Sequence, residues 1–284
     1  MKTFVIAEAG ANHDRNFGQA LKLIDIANNS GASAVKFQTY SSETLYCKNT
    51  PDFAGYKNIN KLIKDIELPR DWQKSLKQYC DQRGIEFMST PFDEKAVEEL
   101  VDIGVKRLKI AGFESTDFRF VEMVASAKLP LIISVGIGFK YKYLDKLLNT
   151  CLKYTSDITL LHCNNAYPTP VSEANLNRIT KLKEATEHRC NKVGFSDHTT
   201  STVVPALAVA NGASTIEKHF TLVRQLEGPD HSFALEPHEL QHMVSNIKDA
   251  EEAFINLPVD QLSESEKSFQ NARRSVISKT PIRQ

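Results

Sequence analysis

The sequence predicts an α/β fold, a (β/α)₈ TIM barrel formed by a single domain with a short C-terminal extension. Eight short β-rich runs alternate with segments whose apolar residues recur at helical spacing. Strands that alternate with helices are joined by right-handed crossovers and form a parallel sheet. The alternative, an open doubly wound sheet, is less favoured because no G-x-G-x-x-G turn opens the first helix. The length of 284 residues also suits one barrel, since such barrels take about 250 residues.

The predicted strands are the β-rich runs, each of which ends near a polar residue or a glycine. In chain order they are 4–10, 34–40, 86–92, 107–112, 131–136, 158–164, 192–198 and 215–220. Side chains alternate across a strand, so every second residue of each run should face the barrel interior.

The predicted helices are marked by apolar residues three or four positions apart. These stretches are 17–27, 72–79, 97–101, 121–124, 144–151, 176–182, a short pattern between 198 and 215, and 240–254. Asp93 is placed to cap the third helix, and Gly31, Gly84 and Gly104 are placed to end the first three. Pro237 is acceptable in the first turn of the last helix.

Two regions interrupt the alternation of strands and helices. Residues 41–68 form a long connection after the second strand, on the side where barrel enzymes carry their functional loops. This connection is either a lid over the site or an insertion without a role. Residues 258–284 are mostly polar and include a strand-like stretch, RRSVISK. We therefore predict a catalytic barrel over residues 1–257 and a linker or tail over 258–284.

Composition limits the classes of partner and compartment. Lys plus Arg and Asp plus Glu number 35 each, so no net charge attracts nucleic acid or an anionic membrane. The five cysteines are scattered and odd in number, which disfavours a disulfide framework and fits the reducing cytoplasm. The sequence shows no signal peptide and no apolar run near the roughly 18 residues of a membrane span. We expect a cytoplasmic protein without nucleic-acid or membrane partners.

Polar residues recur near the C-terminal ends of the predicted strands, on the face that should point inward. They are Glu8, Lys36, Gln38, Thr90, Lys109, Ser134, Asn165, Ser196, His198, Glu217 and His219. Barrel interiors are filled mainly by branched apolar side chains, and barrel enzymes work at the C-terminal ends of their strands. A polar group from every strand therefore predicts an active site at this end.

These residue types suit particular chemistry. Lys36 and Lys109, with hydroxyl and amide donors, predict a pocket for a phosphate or carboxylate. His198 and His219 predict an open divalent-metal site that can polarise a carbonyl; the alternative is a hydrogen-bonded structural pair. Glu8 and Glu217 are candidate catalytic carboxylates that orient water, move a proton or hold an imidazole tautomer. An anion pocket beside a Lewis acid indicates a phosphorylated or carboxylated donor that meets an aldehyde.

Seven motifs follow one another along the chain: IAEAGANH, KFQ, STPFD, LHCNNAYPTP, GFSDHT, EKHFTL and GPDH. In their order and spacing they resemble the sialic acid synthase family over residues 3 to about 240. These enzymes condense phosphoenolpyruvate with an N-acetylated amino sugar and produce a nonulosonic acid. The resemblance implies a (β/α)₈ barrel, a divalent metal, typically Mn²⁺ or Mg²⁺, and a homodimer.

The resemblance also implies roles for single residues. His198 and His219 match the metal-binding histidines, and Glu8 matches the carboxylate thought to act on water or protons. Gln38, Tyr167 and Asp230 match the acceptor-sugar side, although Tyr167 and Asp230 also suit simple turns. The residues that match phosphoenolpyruvate binding are Lys36, Thr90, Lys109, Ser134, Asn165 and Ser196.

The chain departs from the family pattern in three places. Gly112 stands where the family commonly has a phosphate-binding serine, and Val135 and Ile137 change the fifth-strand motif. The family usually carries a C-terminal antifreeze-like domain whose arginine reaches the partner's sugar site, and this chain stops at Gln284. We expect either a truncated form or a different mode of acceptor recognition.

Two other functions stay open at the level of sequence. One is a metal-dependent aldolase that uses free pyruvate and releases no phosphate. The other is a non-catalytic ligand-binding homologue, which Gly112 and the missing domain would suit.

Overall fold

A computed structural model describes most of the chain, namely residues 2–47, 49–52, 55, 57–186, 189–190, 192–255 and 258–283. The predicted boundary at residue 257 and four positions of the 41–68 connection (48, 53, 54 and 56) lie outside the described residues.

Parallel strands form the centre of the protein. The eight that the described residues contain are β1 (Phe4–Gly10), β2 (Ala34–Thr39), β3 (Glu86–Pro91), β4 (Leu108–Ile110), β5 (Leu131–Val135), β6 (Ile158–Cys163), β7 (Lys192–Asp197) and β8 (Thr215–His219). Their order in the sheet is β3-β2-β1-β8-β7-β6-β5-β4. β3 and β4, at the two ends of this order, lie side by side with Cα atoms within 8 Å. The sheet thus curls into a nearly closed (β/α)₈ barrel, as predicted.

Helices surround the barrel. In the described residues they are α1 (Phe17–Asn29), α2 (Ile59–Ile66), α3 (Gln73–Arg83), α4 (Glu94–Asp102), α5 (Phe118–Ala125), α6 (Leu144–Leu152), α7 (Asn177–Ala185), α8 (Val204–Ala210), α9 (Pro237–Ala253) and α10 (Glu264–Lys267). Asp93 caps α4 by accepting a hydrogen bond from the Ala96 amide at 2.7 Å, which confirms the predicted cap. Gly84 ends α3 with a left-handed φ of 77°. None of the described helices is long and apolar enough to cross a membrane.

The barrel interior changes from apolar to polar along its axis. Near the N-terminal ends of the strands, apolar side chains from five strands fill it: Ile6, Ala34, Met88, Ile132 and Leu161. Two residues further along β1, β3 and β5, the inward side chains are Glu8, Thr90 and Ser134, all buried. The strands therefore have an apolar plug at one end and polar groups at the other.

Residues 41–68 contain a helix, α2, that the sequence did not predict. Its buried Ile59 and Ile63 pack with Tyr40 in a small separate apolar cluster. Arg15, in the loop after β1, donates a hydrogen bond to the Lys64 carbonyl at 2.6 Å. The connection is thereby attached to the C-terminal mouth of the barrel, where a lid would have to lie.

Candidate active site

The predicted polar side chains converge on one cavity. A cavity of about 360 Å³, open to solvent, lies at the C-terminal ends of the strands. Twelve of the thirteen predicted site residues line it: Glu8, Lys36, Gln38, Thr90, Lys109, Ser134, Asn165, Tyr167, Ser196, His198, Glu217 and His219. Asp230 is the thirteenth, and its Oδ2 lies 3.8 Å from Nδ1 of His219.

Lys36 lies between the two glutamates on the floor of the cavity. Its Nζ is 2.6 Å from Oε2 of Glu8 and 3.5 Å from Oε2 of Glu217. It also donates a hydrogen bond to the Thr90 hydroxyl at 2.8 Å. Gln38, two residues along β2, donates to the second oxygen of Glu8 at 2.9 Å. Alternation along β1, β2 and β3 places all of these side chains on the inner face.

Lys109 holds a second positive charge on the opposite side of Glu217. Its Nζ donates to the Ser134 hydroxyl at 2.8 Å and to the Ile110 carbonyl at 3.1 Å, and lies 3.6 Å from Oε1 of Glu217. Ser196 donates to the same glutamate oxygen at 2.8 Å. Two ammonium groups, hydroxyls and a carboxylate thus share one buried network, which can bind an anion that competes for the lysines.

The two glutamates differ in their affinity for protons. Burial raises the pKa of Glu8 to about 7, because nearby Lys36 offsets only part of the desolvation. Burial would also raise the pKa of Glu217, but Lys109 and Lys36 together outweigh it and hold that pKa at about 2. Glu217 is therefore a permanent carboxylate, while Glu8 can gain or lose a proton near neutral pH.

The histidines at 198 and 219 face each other across β7 and β8, with ring centroids 5.5 Å apart. Nδ1 of His198 donates to the Asn164 carbonyl at 2.6 Å, which leaves the lone pair on Nε2. Nδ1 of His219 is buried and, within the described residues, has no hydrogen-bond partner. Burial lowers the pKa of His198 to about 4 and holds that of His219 well below its usual value, so both rings are neutral.

Two neutral imidazoles fit a divalent cation that keeps exchangeable positions. The carbonyl that fixes the His198 tautomer is the usual outer partner of a ligating histidine. An unpartnered Nδ1 on His219 does not suit the alternative of a hydrogen-bonded structural pair. The part of the chain that the structure describes contains no cluster of three or more His, Cys, Asp and Glu arranged for a metal. His198 and His219 alone would leave the other positions of such a cation to water or substrate.

The loops after β1 and β8 meet at the mouth and place Asp230. The Ala11 amide donates to Oδ2 of Asp230 at 3.2 Å. Its neighbour His231 is buried between the Asp14 carboxylate, at 2.8 Å, and the Thr221 hydroxyl, at 2.6 Å. On the other side of the histidines, the Tyr167 ring centroid lies 4.2 Å from that of His198.

Gly112 and Gly136 leave room for the side chain of Asn165. A Cβ on Gly136 would lie 2.0 Å from Oδ1 of Asn165, and one on Gly112 would lie 3.0 Å from its Nδ2. The Ile137 amide donates to Oδ1 at 2.9 Å and fixes the orientation of the carboxamide. The Asn165 amide nitrogen therefore lies beside the position where the family commonly has a serine.

Sequence reasoning missed four side chains at or near the cavity. Ala111, Phe113 and Cys163 line it, and burial raises the pKa of the Cys163 thiol to about 12. Burial also raises the pKa of Glu114 to about 7, although the charge of Lys109 opposes this shift. Period-two alternation could have found Cys163, which lies two residues beyond the inward-facing Leu161. Phe113 and Glu114 follow the end of β4, where alternation no longer predicts direction.

Comparisons with known proteins agree with this geometry. The NeuB family matches residues 23–257. An N,N'-diacetyllegionaminic acid synthase of Legionella pneumophila is 39% identical over 264 residues, which cover 88% of this chain and 73% of that protein. A pseudaminic acid synthase of Campylobacter jejuni is 34% identical, with 89% and 75% covered. The crystal structure of an N-acetylneuraminic acid synthetase from Leptospira borgpetersenii, in complex with citrate, superposes with a TM-score of 0.85 at 33% identity and covers 96% of this chain and 92% of that one.

Proposed function

The chain belongs to the NeuB family, and on that premise we propose that it condenses phosphoenolpyruvate with the open-chain aldehyde of an N-acetylated amino sugar. The products are a nonulosonic acid and phosphate. The observation that carries the proposal is the single cavity in which Lys36 and Lys109 lie beside His198 and His219.

The lysine side of the cavity suits the donor. Phosphoenolpyruvate carries a phosphate and a carboxylate, and two ammonium groups with hydroxyl and amide donors can hold both. The groups that we assign to the donor are Lys36, Thr90, Lys109, Ser134, Asn165 and Ser196. The buried position of both lysines strengthens their attraction for an anion relative to lysines in water.

The histidine side suits the acceptor. Gln38 and Tyr167 line the cavity, Asp230 lies 3.8 Å from His219, and we assign all three to the sugar. Mn²⁺ or Mg²⁺ held by His198 and His219 would supply a Lewis acid for the aldehyde oxygen. The names of the relatives, diacetyllegionaminic and N-acetylneuraminic acid, support an acceptor with one or two acetamido groups.

The residues of the chain have defined tasks in this reaction. The donor groups hold C3 of phosphoenolpyruvate against the aldehyde carbon, and a C–C bond forms between them. The π bond of the aldehyde C=O breaks in this step, and its oxygen takes up a proton from water to become a hydroxyl. Positive charge then develops at C2, near the permanent carboxylate of Glu217. Glu8, as a carboxylate, accepts a proton from the water that adds to C2. Phosphate leaves with cleavage of the bond between C2 and its oxygen.

Donor and product analysis tests the proposal. Purified full chain with Mn²⁺, phosphoenolpyruvate and either N-acetylmannosamine or a diacetamido-trideoxyhexose should release phosphate in step with a condensation product seen by mass spectrometry. In H₂¹⁸O the label should enter the sugar acid and not the phosphate. Condensation with pyruvate alone would establish the aldolase, and binding without turnover would establish the ligand-binding homologue.

We also propose a cytoplasmic homodimer. The free cysteines at 47, 80, 151, 163 and 190 suit a reducing compartment. Light scattering should give twice the chain mass of 31.9 kDa. A mass equal to one chain would contradict the dimer.

A further inference from the structure

We propose that a buried ion pair on the outside of the barrel, Asp197 with Lys218, positions His198 and His219 for the metal. Neither residue lines the cavity, so we describe both as positioning residues. The inference rests on the proposed function, because the histidine pair has a role only if it holds a cation.

The register of β7 and β8 places this ion pair directly behind the histidines. Asp197 and Lys218 are Cα partners in the ladder, and each immediately precedes one histidine in the chain. Since successive side chains point to opposite faces, the ion pair lies on the outer face when the histidines lie on the inner one. Nζ of Lys218 is 2.6 Å from Oδ2 of Asp197, and the two side chains are 1% and 0% exposed.

Lys218 also holds the loop that leaves β7. Its ammonium group donates to the Thr199 carbonyl and, at 3.2 Å, to the Ser201 carbonyl. Asp197 accepts from the Thr199 amide at 2.9 Å and from the Thr199 hydroxyl at 3.1 Å. His198 is thus enclosed between two residues tied to the same ammonium group, so its backbone cannot move without breaking this network.

Fold stability alone does not account for a charge pair at this place. Removing two charges from water costs several kcal/mol per ion, and apolar replacements of buried pairs are often neutral or stabilising. Of the ion pairs that the structure describes, the others with both partners nearly fully buried lie inside the cavity, among Glu8, Lys36, Lys109 and Glu217. The fully buried pair outside the cavity, Asp197 on β7 with Lys218 on β8, directly precedes the two histidines in the chain.

Metal binding to the full chain, without turnover, tests the inference. We would titrate metal-free Lys218→Met with Mn²⁺ and follow free Mn²⁺ by electron paramagnetic resonance. The expected result is at least a tenfold rise in the Kd for Mn²⁺, which is the lower end of the range of about 10–100-fold for the loss of groups that orient metal ligands. Calorimetry of phosphoenolpyruvate binding to the same metal-free variant should show a donor Kd within about threefold of wild type. Both donor lysines, Lys36 on β2 and Lys109 on β4, lie on other strands, and of the donor groups only Ser196 lies on β7.

Arg107→Met is the matched control for loss of stability. Arg107 forms a partly buried ion pair with Glu86, at 2.6 Å, near the opposite end of the barrel. Its loss should lower the Tm without changing the Kd for Mn²⁺. If Lys218→Met fails to fold, Asp197→Asn decides the question, with at least a threefold rise in the Kd for Mn²⁺ expected.

The possible negative results distinguish the positioning role of the ion pair from the proposed function. A folded Lys218→Met or Asp197→Asn protein that binds Mn²⁺ like wild type overturns the positioning role and leaves the proposed function intact. An equal loss of Mn²⁺ and phosphoenolpyruvate affinity overturns it as well. A wild-type chain that binds no Mn²⁺ overturns both this inference and the metal part of the proposed function.

Discussion

Glu8 and Glu217 lie within reach of the same ammonium group, that of Lys36, yet their pKa values are moved in opposite directions. Desolvation dominates at Glu8, while two lysines and a serine hydroxyl surround Glu217. The sequence could not show which glutamate has the higher pKa, because it showed only two glutamates near strand ends. At the residue scale, this contrast supports the proton-accepting role that we propose for Glu8.

The pH dependence of stability should reveal the titration of Glu8. Its folded-state pKa of about 7 lies above the usual 4.5, so its contribution to stability is full below about pH 4.5 and is lost as the pH rises through 7. Glu8→Gln removes this loss. The Tm of the variant minus that of wild type should therefore increase by roughly 5 °C between pH 5 and pH 8. A difference that stays constant over this range would place the pKa of Glu8 elsewhere.

Removal of one histidine should abolish metal binding. His198→Ala takes away one of two imidazoles, and we expect no detectable Mn²⁺ binding and a fall in kcat of at least about 100-fold. Far-UV circular dichroism should remain that of wild type. His242→Ala, at an exposed histidine of α9, serves as the control and should behave like wild type. Retention of Mn²⁺ affinity in His198→Ala would contradict the assignment of the metal.

Loss of a buried lysine should weaken donor binding. Lys109→Met removes one of the two ammonium groups that we assign to the donor. It should raise the Kd for phosphoenolpyruvate at least about tenfold, measured by calorimetry. Lys192→Met is the matched control, because Lys192 pairs with Asp157 at an exposed site at the start of β7, at 2.7 Å. Equal donor affinity in the two variants would remove Lys109 from the donor site.

At the scale of elements, the loops after β4, β5 and β6 act together. Gly136 leads out of β5 and touches the carboxamide of Asn165, which follows β6, while Gly112 follows β4. None of these glycines has a φ in the left-handed region, so the requirement is for space and not for backbone freedom. Gly112 looked like a lost serine in the sequence, but the structure shows that its missing side chain leaves room for another hydrogen-bond donor.

A side chain at Gly136 should lower activity by displacing the carboxamide of Asn165. A methyl group at Gly136 would lie 2.0 Å from Oδ1 of Asn165, so Gly136→Ala must displace the carboxamide. We expect a loss in kcat/KM of at least about tenfold. Asn165→Ala should cause a similar loss, and the double variant should be no worse than either single one, because both remove the same donor. Additive losses in this cycle would show that Gly136 acts through other residues.

At the scale of the whole molecule, apolar packing and charged groups occupy opposite ends of the barrel axis. The apolar layer of Ile6, Met88 and Leu161 fills one end, and the charged groups occupy the other. The tail contributes little to either end: Phe269, Val276 and Ile277 are 72%, 104% and 82% exposed.

Truncation after residue 257 tests the predicted domain boundary. The tail residues that the structure describes are nearly all exposed, so their removal should change the Tm by less than about 2 °C. Metal-free binding of phosphoenolpyruvate should also be retained. A large fall in Tm would mean that the tail is part of the folded barrel.

The sequence by itself determined the fold and most of the polar side chains that share the cavity. Alternation with a period of two identified which residues face inward, and the strand ends fell within one residue of prediction except in β4, which is shorter than predicted. The alternation of side chains between the two faces of a strand is a local property of the backbone. Lys36, His198 and Glu217 could therefore be placed on the inner face without knowledge of the neighbouring strands.

The tertiary structure decided what depends on contacts between distant strands. The opposite pKa shifts of Glu8 and Glu217, the space that Gly136 leaves for Asn165, and the ion pair of Asp197 and Lys218 each join separate parts of the chain. Helix α2 was missed because its burial depends on Tyr40 and other residues outside it. Desolvation and charge coupling depend on distance in space, and distance in space is set only when the barrel closes.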